Sequence, residues 1–197
     1  KTIKIDSADV FAMRVSYAGE LGWELHMPSW QVISIYESLF EMGSPLGLKD
    51  FGGQAFNSMR LEKMYRAYGA EFTEEISALE AGMERFLDLN RDFIGADNIR
   101  ERMSSGIKTK LAYLVFDDQV PAECFGNEAV FSDGELTGII TSGAYGHRVG
   151  HSIAFAYLKT EHCNDGASLT VETSLGSRSC HVSMNASYDQ NNEKLCS

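Results

Sequence analysis

The sequence has 197 residues, 44% of them hydrophobic and 11% aromatic, which is enough apolar material for one large packed domain or two smaller ones. A formal net charge of −11, with no block of lysines and arginines, argues against nucleic acid as a partner, although a local pocket potential can still attract a small anion. No apolar run approaches the roughly 20 residues that cross a bilayer, and the opening KTIKIDSADV lacks the apolar stretch of a secretory signal, so no membrane role is expected.

In chain order, the first strong feature is SYAGELGWE, Ser16 to Glu24. Strand-like residues flank it, Val10 to Tyr17 on one side and Trp23 to Met27 on the other, and Gly19 and Gly22 supply the backbone freedom of a reversal. Folding about Glu20 and Leu21 places Tyr17 opposite Glu24, so that a phenol, a carboxylate and an indole share one surface. A carboxylate accepts two parallel N–H bonds from an amino-pyrimidinone edge such as a pterin's, and charge assistance strengthens that pair. The alternative is an ordinary exposed hairpin with Tyr17 packed and Glu24 solvated.

Residues 29–43 carry Val32, Ile35, Tyr36, Leu39 and Phe40 at helical spacing, with Ser29 as the cap and Gly43 as the stop. A second helix is expected from about Asp50 to Lys63, weakened in its first turn by Gly52 and Gly53. Arg60 and Glu62 within it are read as makers of structural polar contacts. Glu74 to Leu89 mixes a short helix with an extended tail, and Arg91 to Met103 is a loop feeding a helix that Gly106 closes.

Beyond Gly106 the period changes. Leu111–Phe116, Ala129–Thr141, Ser152–Leu158 and Ser168–Thr173 read as short strands, with Asp133-Gly134 as a hairpin turn. The fold class is therefore α+β: an α+β portion over residues 1–106, then a compact β-barrel or sandwich over 107–197. The tail from Ser187 is polar and expected to be loosely held.

Four cysteines, Cys124, Cys163, Cys180 and Cys196, show no CxxC spacing, which favours a reducing compartment. Cys124 and Cys180 read as small buried hydrophobes and Cys196 as an exposed tail thiol. His147 and His151 stand four apart, but Gly146 and Gly150 argue against a helix there and no third ligand is near, so no metal is assigned. His26 and His181 read as strand residues with local partners, His26 keeping an allowance for the pocket wall. Tyr65, Tyr68 and Phe72 read as packing.

Taken in order, SYAGELGWE, RLEKMYRAYGAE, ISALEAGMERFLDLNRDFIGAD and GIITSGAYGHRVGHSIAFAYLK resemble the folate-binding glycine-cleavage T-protein (aminomethyltransferase) superfamily, over almost the whole chain. The Glu-Lys ending of RLEK, the LEAG turn and the SGAYGH sequence look closest to the carboxyl-terminal module of dimethylglycine and sarcosine dehydrogenases. The resemblance implies part of a T-protein-like folate-binding fold followed by a small antiparallel β-barrel.

It also implies tetrahydrofolate contacts from Tyr17 and Glu24, with the backbone of Leu25 and His26 along the same pocket wall. Arg85 stands where an aromatic residue commonly follows the LEAG turn, with Phe86 beside it; it could stack or meet a folate carboxylate. Phe56 stands where T-proteins proper carry a folate-binding arginine, which points away from glycine cleavage. The family's catalytic aspartate precedes the hairpin, so no catalytic residue is assigned and the polypeptide alone is expected to be inactive.

The function so implied is passage of a methylene group from an N-methyl amine to tetrahydrofolate, with FAD involved only if an upstream flavin domain exists. The implied partners are folate, a small methylated amine, and the family's amino-terminal half or a flavin domain or subunit. The alternatives are an aminomethyltransferase, another folate-dependent demethylase, or a folate-binding module without chemistry. The compartment would be the cytoplasm or, in a eukaryote, the mitochondrial matrix.

Overall fold

The computed structural model describes residues 1–196. By contacts the chain divides into Lys1–Asn57 with Asp189–Ser197, and Ser58–Tyr188.

The first unit is built on a three-stranded antiparallel sheet in the order β1 (Thr2–Ile5), β2 (Ala8–Met13), β3 (Glu24–His26). The strand β1 had no counterpart in the sequence reading. Alternation in ADVFAM turns Ala8, Val10 and Ala12 inward and Asp9 and Phe11 outward. The inward face meets Ile35 of helix α1 (Val32–Gly43), and Ile3, Ile5, Leu25 and Met27 close around that contact. A 3-10 turn over Ser29–Gln31 leads into α1, and no side chain caps the helix, Ser29 included. Helix α2 (Gly53–Glu62) starts three residues later than expected, and only its residues 53–57 fall in this unit. A four-residue helix α4 (Glu193–Cys196) also belongs to this unit.

The second unit holds a closed barrel in the order β4-β7-β6-β5-β8-β9, every neighbouring pair antiparallel. Its strands are β4 (Thr109–Phe116), β5 (Ala129–Ser132), β6 (Glu135–Gly146), β7 (His151–Lys159), β8 (Ser168–Thr173) and β9 (Gly176–Ser183). The α+β class and the antiparallel barrel are thus as expected, and closure decides between barrel and sandwich. Asp133 and Gly134 both have positive φ, 48° and 81°, as the two-residue β5–β6 turn requires. β9 was anticipated only at His181, read as a strand residue, and not as a strand of its own. SGAYG is the end of β6, and the reversal falls at His147–Gly150.

One face of each strand fills the barrel, for example Leu114, Phe116, Ile140, Leu158 and Val182. The other face of β4 and β7 is buried too. Leu111, Tyr113, Ile153 and Phe155 pack there with Leu61 from the end of α2, which is why LAYLVF and SIAFAYL read as continuous apolar runs rather than alternating ones. The compact units therefore do not follow the change of period at Gly106, because Ser58 onward packs with the barrel. Helix α3 (Ala96–Ser105) ends at Gly106, whose φ of 80° favours glycine.

Candidate functional site

The open face of the first unit's sheet carries the residues of chemical interest. Met13 pairs with Glu24, Ala12 with Leu25, and Phe11 with His26. Glu24 and His26, two apart, therefore share the face that α1 does not cover, together with Phe11. His26 Nε2 lies 3.3 Å from Glu24 Oε2, and both side chains are about half-exposed. The Phe11 and His26 ring centroids are 6.2 Å apart, tilted by 54°. Leu25 turns its side chain toward the core, so only its backbone runs along this face.

The expected opposition of Tyr17 and Glu24 is not what the register gives. The ladder ends at Met13–Glu24, and residues 14–23 form a loop with bends rather than a tight hairpin. Gly19, at φ 76°, supplies the freedom expected of it. Gly22 serves differently: a Cβ there would stand 3.1 Å from Ser16 Cβ and 3.3 Å from Val15 O, so its lack of a side chain lets the loop close on itself. Tyr17 rides on this loop with its ring 5.4 Å from that of Phe56. The aromatic ring at the position of the T-protein arginine is thus a packing partner for the tyrosine. Phe56 in turn lies 6.4 Å from Phe51.

The base of the same loop borders a concavity of about 440 Å³ lined by Arg14, Val15, Ser16, Gly22, Leu195 and Cys196. Neither it nor Phe11 was singled out from sequence, although the alternation through Asp9, Phe11 and Met13 carried the signal for Phe11. Arg85 belongs to the second unit, on a 3-10 turn over Glu84–Phe86, and its guanidinium carbon lies 4.6 Å from the centroid of the Phe86 ring.

The histidines outside the open face have local partners or none. His181 Nδ1 is 2.8 Å from Asp117, His147 stands edge-on to Tyr145, and His151 Nε2 is buried without a hydrogen-bond partner. No cluster of three or more His, Cys, Asp or Glu suited to a metal occurs among the described residues.

The second unit contains a buried polar system. Glu71 is fully buried and accepts from Arg60 Nη1 at 2.8 Å, from the Ala67 amide at 2.7 Å, from Thr141 Oγ1 at 2.7 Å, and from Ser142 Oγ. Arg60 also donates to Tyr65 O and to Ser142 Oγ, each at 2.9 Å. Two residues on, buried Glu62 accepts from the Arg148 amide at 2.8 Å and from its Nε, while Arg148 Nη2 donates to Met59 O at 3.0 Å. The Arg148 guanidinium covers the Tyr188 ring at 3.9 Å, and the Tyr188 amide donates to Glu62 O at 3.0 Å. The start of the tail is therefore fastened, whereas the sequence suggested looseness.

These contacts give RLEK, YGAE and SGAYGHR a structural purpose, as read for Arg60 and Glu62. In the LEAG turn Gly82 has φ 66°, and a Cβ there would lie 3.2 Å from Arg66 Nη2. Arg66 Nε donates to Ala81 O at 2.8 Å.

Comparison with known proteins fixes the lineage of this fold. Residues 1–91 match the GCVT N-terminal domain, and residues 110–189 match the glycine cleavage T-protein C-terminal barrel domain. The chain belongs to the glycine cleavage T-protein family. Dimethylglycine dehydrogenase, mitochondrial, of Homo sapiens is 37% identical over 175 residues, which are 87% of this chain and 20% of that protein. Sarcosine dehydrogenase, mitochondrial, of Homo sapiens is 32% identical over 151 residues, 76% of this chain and 16% of that one.

An aminomethyltransferase of Thermoanaerobacter pseudethanolicus is 29% identical over 171 residues, 86% of this chain and 46% of that protein. The fold superposes on glycine cleavage system aminomethyltransferase T from Bartonella henselae with a TM-score of 0.82 at 22% identity, covering 92% of this chain and 50% of that one. The T-protein family chain thus spans a fifth of the human dehydrogenase named first and less than half of the Thermoanaerobacter protein. No helix among the described residues is long and apolar enough to cross a membrane.

Proposed function

We propose that this chain is the tetrahydrofolate-binding portion of a one-carbon transfer enzyme of the dimethylglycine and sarcosine dehydrogenase kind, taking a methylene group from an N-methyl amine. The observation that carries the reading is the uncovered sheet face with Glu24, His26 and Phe11, in a chain whose family and relatives are those of folate-linked enzymes. The donor set suits the ligand. A half-exposed carboxylate beside an aromatic ring matches an amino-pyrimidinone, which is a flat ring with parallel N–H donors.

Tetrahydrofolate, when bound, supplies the nitrogen that captures the one-carbon unit. Glu24 orients the pterin by accepting its N–H groups, and His26 Nε2 holds one carboxylate oxygen in place. The backbone of Leu25 and His26 forms the wall, and Tyr17 on its loop adds a phenol steadied against Phe56. Arg85 is proposed for a folate carboxylate on its charge alone. The proton-handling carboxylate is assigned to none of these residues. FAD enters this reading only with a flavin domain, and the mitochondrial matrix is the proposed compartment because the dehydrogenase relatives are named as mitochondrial.

Calorimetry with a stable reduced folate on the wild-type chain and on Glu24→Gln tests the reading. Loss of a charge-assisted hydrogen bond, about 1.5–3 kcal/mol, is expected to weaken binding by about ten- to a hundredfold. Unchanged affinity in Glu24→Gln, or no folate binding by the wild-type chain, would overturn it.

A further inference from the structure

Gly146 and His151 are rung partners in the β6–β7 ladder, so the His151 side chain lies beside the space that a side chain at residue 146 would fill. Glu62 stands in that space: a Cβ on Gly146 would be 3.2 Å from both its Cγ and its Oε1. The Glu62 carboxylate is already engaged there by the Arg148 amide and Nε, and the Arg148 guanidinium lies over the Tyr188 ring. His151 takes no part in this clasp, and its Nε2 is buried without a hydrogen-bond partner. A buried, unpaired ring nitrogen next to a carboxylate bound by another cation is a competitor held out of the contest only while it is neutral.

The charged and titratable groups around the ring come from each element packed on this face. Glu62 ends α2, and His147 and Arg148 lie in the turn that leads into β7. On β4, Val115 is the rung partner of Ile153, so the same register sets Asp117 level with His151. Asp117 is taken by His181 of β9, whose Nδ1 is 2.8 Å away. Tyr113 of β4 and Tyr188 add phenols. Burial, then the charge of His181, holds the proton affinity of His151 below the ordinary 6.5, and Glu62 opposes them. With Asp117 engaged, Glu62 is the anion on which a charged His151 would draw.

We propose that His151 is a proton-operated release for the Glu62–Arg148–Tyr188 clasp. Neutral, it leaves the carboxylate to Arg148; on taking up a proton, its ring donates to Glu62 and frees the guanidinium and the tyrosine ring beneath it. The released form holds one proton more than the clasped form, so acid favours release. The clasp is fully held above the ordinary histidine value of 6.5 and is lost as the pH falls through the lowered value of His151. None of the groups assigned to folate takes part, so the inference stands apart from that reading.

Hydrogen exchange of the Tyr188 amide, which donates to Glu62 O at 3.0 Å, reads the clasp in the full chain at pH 7.5 and 5.5, after correction for intrinsic rates. In the wild type its protection is expected to fall about tenfold at pH 5.5, while the β4 amides keep theirs. In His151→Gln the fall should be less than about twofold. His181→Gln removes the charge that opposes protonation, so its loss of protection should begin at a higher pH, a shift that a merely structural ring would not give. No loss in the wild type, an equal loss in His151→Gln, or a parallel loss in β4 overturns the proposal. Should His151→Gln fail to fold, shown by unprotected β4 amides at pH 7.5, an unmoved transition in His181→Gln overturns it.

Discussion

Arg60 and Glu71 form an ion pair at 2.8 Å with side-chain exposures of 3% and 0%. A pair so placed has given up hydration on both partners, so its value lies in mutual compensation rather than in net attraction. Removing one partner is therefore costly. Glu71→Leu is expected to destabilise the second unit by about 3–5 kcal/mol, because Arg60 is left charged in a dry site. Adding Arg60→Met should restore part of that loss, making the double variant less damaged than the sum of the singles. Urea unfolding of the four proteins gives the coupling directly, and strict additivity would show that the two groups do not compensate each other.

Two glycines should respond in opposite directions to alanine. At Gly138 a new Cβ would stand 2.2 Å from Tyr157 O and 2.6 Å from Leu158 Cδ2, so β6 could not keep its distance from β7. Overpacking of this kind costs about 1–3 kcal/mol. Gly53 meets no atom within 4 Å and opens α2, so Gly53→Ala is expected to gain about 0.4–1 kcal/mol by restricting the unfolded chain. Denaturant midpoints that move the same way in both variants would contradict this.

His151 gives the barrel a sensitivity to acid. Burial, followed by the charge of His181, holds its proton affinity below the ordinary 6.5, only partly opposed by Glu62. Between the lowered folded value and the unfolded value near 6.5, the unfolded chain binds more protons than the folded one. The contribution is therefore fully present above about pH 6.5 and is lost as the pH falls through the folded value. Urea midpoints at pH 7.5 and 5.5 should differ more in the wild type than in His151→Gln. An equal difference in both proteins would assign the acid sensitivity elsewhere.

Thiol reactivity should be confined to the tail. Cys124, Cys163 and Cys180 are buried and Cys196 is exposed. Burial, helped by Asp117, pushes the Cys180 thiol up to about 12, and burial raises Cys124 and Cys163 as well. Since the thiolate is the nucleophile, these three are expected to resist an aromatic disulfide reagent at pH 8 while Cys196 reacts quickly. Cys196→Ser should abolish the fast phase, and a fast phase that persists would mean that one of the three is accessible.

What was legible in the sequence was what local chemistry decides. Asp133-Gly134 announced its turn because two residues of positive φ are needed there, and the period of residues 29–43 announced α1. What failed was decided at a distance. The alternation around SYAGELGWE does not reveal how long the loop is, because Gly22 is used for close packing against Ser16 rather than for a tight reversal. The register that sets Glu24 against Met13 followed from that and was missed. Likewise, nothing near Glu71 in sequence points to Thr141 and Ser142, its partners 70 and 71 residues on.

The irregularity of β6 follows from that same carboxylate. The β6–β7 register shifts between Ile140 and Ser142, leaving Thr141 as the extra residue. In an unbroken strand neighbouring side chains point to opposite faces, yet Thr141 and Ser142 both donate to Glu71 Oε1. The skipped rung is what lets consecutive hydroxyls serve a single oxygen. Deleting Thr141 would make the ladder regular and strip an anion of one donor in the same stroke, so regularity is the state this strand is built to avoid.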